Sequence, residues 1–209
     1  MKLLLLLSAA CAFAQNGKLI WSKSFPGSTP AFVKITIERN GSALYVEELN
    51  DPQPFQFKLS EAEINTMYGL AEKLGWFNRT LESGLPVAKM GEKTMRYEDG
   101  PKAQEQKFNY TTDVDAQALA DWFERITESE RLLMELERSA RFDKLGVNKV
   151  ILQIQIAWEK KRLVAPEQFL KWLDRIVKSE SYMNMARDRA SQLAGAFRNP
   201  PPAEPVKQQ

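Results

Sequence analysis

The groups in this sequence able to do chemistry are carboxylates, amines and hydroxyls, because the 209-residue chain holds no histidine and a single cysteine, Cys11. That removes the side chain that titrates near neutral pH, together with the nitrogen and sulfur ligands that hold zinc. No serine stands three residues before a lysine, no Gly-x-Ser-x-Gly elbow occurs, and neither common glycine loop for cradling phosphate is present. What remains is carboxylate chemistry or hard-ion binding. Asp113-Val114-Asp115 offers two oxygens to Ca²⁺ or Mg²⁺, and Glu47-Glu48 offers another pair. Acids at the start of a helix are more often placed there by the cap and the dipole, so no metal ligand, cofactor site or catalytic residue is assigned.

The cations tell a similar story. Lys160-Lys161-Arg162 is the densest basic spot, and its ordinary role is to compensate carbonyls at a helix C-terminus. The chain has 29 Lys and Arg against 27 Asp and Glu; residues 15–112 carry 12 of each sign and residues 113–198 carry 15 bases and 14 acids. Neither part has the basic footprint that nucleic acid requires. Binding by apolar contact has one local candidate, the connector over residues 76–87, which holds Trp76, Phe77 and Leu85 between Gly75 and the Gly84 and Pro86 breakers. These side chains either fold under as a satellite of the core or form a partner-binding patch; burial is the commoner fate, since soluble monomers expose few contiguous apolar patches.

The elements that must position these residues follow a β-β-α plan used twice. In the first unit Val33, Ile35 and Ile37 alternate, Asn40-Gly41 turns, and Leu44 and Val46 alternate back. Ser60 and Glu63 then make a capping box ahead of an Ile64, Met67, Tyr68, Ala71, Leu74 stripe that Gly75 ends. In the second unit Met95 and Tyr97 share a face, Asp99-Gly100 turns, and Phe108 and Tyr110 return. Pro101 cannot donate a ladder bond, so a loop longer than two residues is expected there. Asp113 caps a helix whose buried stripe is Leu119, Trp122, Phe123 and Ile126. Leu19 and Trp21 mark an additional strand over 18–24, expected at a sheet edge, and Phe55, Phe57 and Leu59 an extended lead into the Ser60 helix.

Beyond Ile126 the apolar stripe fails at Ser129 and Glu130, and Thr127 with Glu130 fits a second capping box, so a helix break is expected there. Leu132, Leu133, Leu136 and Ala140 resume the period up to Gly146, and residues 147–158, 166–177 and 182–197 read as further helices. The fold class is therefore α+β: an antiparallel sheet of four or five strands with two helices on one face over 15–126, then a helical region over 127–198 and a proline-rich disordered tail over 199–209.

Gly91-Glu92-Lys93-Thr94, followed by Phe108-Asn109-Tyr110-Thr111 leading into Ala118-Leu119-Ala120-Asp121-Trp122-Phe123, resembles exported bacterial proteins of unknown function, some of which share a β-β-α layout. The resemblance covers residues 31–126 and implies export and fold; it assigns no site residue. Export is also the reading of the start of the chain, where Met1-Lys2, the Leu3 to Leu7 run and Ala12-Phe13-Ala14 have the parts of a secretory signal cleaved before Gln15. A lipid anchor on Cys11 is the alternative. The apolar run is too short to span a bilayer. These observations favour a periplasmic or secreted protein-interaction module without catalytic activity whose partner is another envelope or secreted protein; the alternatives are a carboxylate-based hydrolase and a structural envelope protein.

Overall fold

The computed structural model describes residues 17–200; the signal segment, Cys11 and the tail from residue 201 lie outside the described residues. Six antiparallel strands form one sheet: β1 (Lys18–Ser24), β2 (Phe32–Glu38), β3 (Ser42–Val46), β4 (Phe55–Lys58), β5 (Glu92–Asp99) and β6 (Lys102–Phe108). Their order is β4-β3-β2-β1-β5-β6. Helices α1 (Glu61–Lys73) and α2 (Val114–Phe142) pack on one face and contribute to one core with the strands. The helices α3 (Val147–Glu159), α4 (Leu170–Lys178) and α5 (Asn184–Arg198) follow.

Strand alternation decides which face is covered. Leu19, Trp21, Ile35, Ile37, Tyr45 and Met95 point to the helices and are essentially inaccessible, while their neighbours point away. The centre of the open face is polar, with Arg96 bound to Glu98 (2.7 Å) and Glu105 (3.2 Å). The sheet has six strands where four or five are expected, because the Phe55 lead pairs with β3 as β4. The strand over 18–24 is central, not an edge. It lies between the two hairpins, paired with β2 and β5, since its inward Leu19 and Trp21 need apolar neighbours on both sides.

The turn after β5 also differs from expectation. Asp99 pairs with Lys102, leaving Gly100-Pro101 as a two-residue loop. Gly100 takes φ +57° and proline fixes a negative φ behind it, the type II′ pattern; the ladder donor needed next is the Lys102 N–H, so Pro101 loses nothing. The expected caps are present. Ser60 and Glu63 exchange side-chain and backbone bonds, and Asp113 accepts from the N–H groups of Asp115 and Ala116.

The largest departure is α2, which runs unbroken for 29 residues through Ser129 and Glu130. No capping box forms there: Thr127 Oγ1 donates to the Phe123 carbonyl and Ser129 Oγ to that of Arg125. The polar pair faces inward because the chain leaving α3 crosses α2 at this level. Val164 N–H donates to Ser129 Oγ (2.9 Å), Gln168 Nε2 to Glu130 Oε1 (2.8 Å) and Ala165 N–H to Glu63 Oε1 on α1 (3.2 Å). Two hydrophobic cores result. One holds the sheet, α1 and α2 as far as Ile126; the other holds α2 from Leu133 with α3, α4 and α5. The segment 163–169 stitches them, burying Val164 and Ala165 in the first and Phe169 in the second.

Candidate functional site

The connector between α1 and β5 holds three exposed apolar residues close together in sequence, Leu85, Val87 and Met90, where Leu49 and Val114 are exposed singly. It starts with a left-handed turn in which Gly75, Trp76 and Phe77 take φ of +61°, +56° and +68°. Two bulky aromatics in that region cost about 1–2 kcal/mol each and need strong tertiary support. The support is visible. Phe77 is 1 % exposed within the core, and Trp76 lies 4.4 Å from the Tyr97 ring and 6.4 Å from that of Tyr68, ring centre to ring centre. Gln106 Nε2 donates to the Phe77 carbonyl (3.3 Å). Phe77 is therefore no surface residue, and Trp76 is half-buried against the sheet.

Beyond them the chain passes the end of β6 and is held there by polar bonds. Leu81 is buried. Glu82 accepts from the Asn109 N–H (2.6 Å) and that of Gly84 (3.3 Å), and these backbone donors, Asn109 first, hold its carboxyl below the usual range. Ser83 N–H donates to the Tyr110 carbonyl (2.9 Å). The Asn109 side chain then works as a two-sided clamp, its Nδ2 donating to the Ala88 carbonyl (3.0 Å) and its Oδ1 accepting from Met90 N–H (2.8 Å). Gly91 closes the loop at φ +94°, where a Cβ would stand 2.7 Å from that of Phe25.

This lacing fixes the backbone and leaves the side chains out. Leu85 is 51 % exposed, Val87 42 % and Met90 57 %. Leu85 and Val87 wall a groove of about 620 Å³ with Phe25, Pro26 and Phe108. Of the three connector residues singled out by sequence, only Leu85 reaches this surface. Trp76 and Phe77 anchor the loop that presents it.

A second groove, of about 680 Å³, lies between the β1–β2 loop and α2, with Trp21 at its base. Several of its charges pair: Lys23 with Glu124 (2.8 Å), Arg162 with Glu128 (2.7 Å) and Asp121 (3.1 Å), and Arg131 with Glu47 (3.6 Å). Two of the other charged candidates are also accounted for locally: Asp113 caps α2 and pairs with Arg79 (2.6 Å), and Asp115 pairs with Lys73 (3.7 Å). Among the described residues no three His, Cys, Asp or Glu side chains converge as metal ligands.

Among the described residues the one strongly perturbed carboxyl is Glu130, pushed up to about 7 by burial and opposed by the Gln168 hydrogen bond. It is fully buried, and its Oε2 has no hydrogen-bond partner. No groove described above is lined by it. Sequence reasoning missed Asn109, Gln168 and Glu130. Glu130 left a signal, because Ile126, Ser129/Glu130 and Leu133 keep the helical period and only the residue types change.

No protein-family model matches the chain, and no curated protein matches it by sequence. Among the described residues no helix is long and apolar enough to cross a membrane.

Proposed function

We propose that this is an exported, periplasmic or secreted interaction protein that grips another envelope or secreted protein through the exposed apolar loop Leu85, Val87 and Met90. The observation that carries the reading is the contrast between a backbone clamped by Asn109 and Glu82 and apolar side chains left in the open. Holding contact residues rigid before binding reduces the ordering cost of association. Phe25 and Pro26 extend the apolar surface, and Lys89, Glu92 and Lys107 give it a polar rim, the anatomy of a protein-binding patch. Carboxylate catalysis has less support, since it needs a perturbed acid open to substrate, and the raised carboxyl of Glu130 is sealed inside the helix junction.

The test is the double variant Leu85→Asp, Val87→Asp against Trp76→Ala, with tagged protein used to capture partners from envelope extract. The aspartates should abolish capture while leaving the melting temperature unchanged. Trp76→Ala should lower the melting temperature, because it removes the ring packed against Tyr97. Undiminished capture by the aspartate pair would overturn the reading.

A further inference from the structure

The far end of the helical lobe carries a second apolar surface of a different kind. Phe142 is 81 % exposed, Leu145 76 % and Met185 62 %, more than any loop residue of the connector. They belong to one end of the molecule, where the α2–α3 turn meets the start of α5. Tyr182 Oη donates to the Ala140 carbonyl (2.7 Å), Asn148 Nδ2 to Met185 Sδ (3.5 Å) and Arg189 Nη1 to Asn148 Oδ1 (2.7 Å). The turn is folded in its own right, with Asp143 Oδ1 accepting from Gly146 N–H (2.9 Å), so its apolar residues are not waiting for a core.

Charge surrounds them on one side of the balance. Residues 141–149 hold Arg141, Lys144 and Lys149 against Asp143; Arg141 is ion-paired with Glu137 one turn back, so the tip's positive charge rests on Lys149 and on Lys144, which lies over the Tyr182 ring at 5.8 Å. The same sign extends over the whole lobe: residues 131–198 have 14 Lys and Arg against 8 Asp and Glu, whereas residues 17–130 have 13 against 18. A division at the start of α2 hides this asymmetry, because the acids of its first half belong to the sheet lobe. At about 1.5 Å per residue, Phe142 stands roughly 24 Å along α2 from Ile126. The molecule thus has a charge dipole, its acids concentrated on the first half of α2, where residues 113–130 hold six acids against Arg125 while residues 17–112 balance at 12 of each sign, and its bases in the helical lobe that ends in the apolar tip.

We propose that this tip docks on an anionic lipid surface, with Phe142 and Leu145 entering the headgroup region and Lys144 and Lys149 lying against lipid phosphates. Single apolar side chains alternating with lysine suit a wet, charged boundary, while the core of a protein interface is depleted of charge. The dipole would present the tip to such a surface and hold the acidic lobe, with its connector loop, away from it. Attachment is peripheral, as no described helix can span.

The test uses the purified protein with vesicles of phosphatidylcholine, with and without phosphatidylglycerol, read by co-sedimentation. Binding is expected only with phosphatidylglycerol and should fall as salt is raised. Phe142→Ser with Leu145→Ser, and separately Lys144→Glu with Lys149→Glu, should each weaken it about tenfold or more. Both pairs are at the surface, so melting temperatures should hold, and Leu49→Ser, an exposed leucine of the sheet lobe, should bind as the wild type does. No binding to the anionic vesicles, or equal binding by the variants, overturns the proposal. So does a concentration-dependent dimer that dissolves in Phe142→Ser, which would assign the tip to a second copy of the chain.

Discussion

The two lobes share one helix and differ in how they treat apolar groups at the surface. In the sheet lobe the exposed Leu85, Val87 and Met90 sit on irregular backbone that is held on either side, by Glu82 and Tyr110 at residues 83 and 84 and by Asn109 at residues 88 and 90, with the Leu85 N–H bonded to Ser83 Oγ and the Val87 N–H to the Leu85 carbonyl. In the helical lobe Phe142 and Leu145 project from a short, self-capped turn between regular helices. A loop needs a dedicated polar hub before it can hold apolar side chains in place, whereas a helical turn does so by its own periodicity. Their charge differs too, the sheet lobe being acidic and the helical lobe basic.

The sharpest way to break this comparison is to ask whether the lobes are separate at all. Phe123 stacks on Trp21 with ring centroids 5.1 Å apart and is 1 % exposed in the sheet lobe's core. Phe123→Ala should cost about 3–5 kcal/mol. Because α2 and the 163–169 segment belong to both cores, helical circular dichroism and tryptophan fluorescence should lose their signals at the same denaturant concentration. Two resolved transitions would show that the lobes fold independently.

The junction itself gives the next effect. An ordinary glutamate titrates near 4.5, and Glu130 in the folded protein near 7. Between these values the folded state holds a proton that the unfolded chain has lost, so stability falls as pH rises across that window and is flat above it. Glu130→Gln should remove that slope and stabilise the protein at pH 8 by up to about 3 kcal/mol, with little change below pH 4.5. The glutamine can still accept from Gln168. Denaturant titrations of both proteins across the range check it; parallel pH profiles would contradict it.

A smaller effect is expected at the loop hub. Asn109→Ala removes the bonds to Ala88 and Met90 and should cost about 1 kcal/mol, read locally as faster amide exchange over residues 83–90 with the helical lobe unchanged.

Much of this architecture was legible in residue patterns, because period-two alternation and helix caps are local. The Ser60–Glu63 box, the Asp113 cap and the helical reading of Val150 to Trp158 all depend on neighbours within a few residues. What depended on distant partners was not legible. The central place of β1 follows from two hairpins about 60 residues apart closing on it, and the continuity of α2 follows from Val164 and Gln168 arriving to meet Ser129 and Glu130. The candidate surface was half legible: composition marked the connector, but only the left-handed turn at Gly75 shows that Trp76 and Phe77 go inward while Leu85 stays out. Asn109 carried no signal, since its role exists only once the loop has folded across the end of β6.

The central claim is that a protein partner is met by the sheet lobe's loop. Placing a photo-reactive amino acid at Met90 in the expressed protein, and at Leu145 and Leu49 for comparison, tests it most directly, since all three side chains are exposed. Irradiation of intact cells should give one discrete protein adduct from Met90, lost when Leu85→Asp is added, and none from Leu145 or Leu49. Absence of an adduct at Met90, or the same adduct from all three positions, would contradict the account.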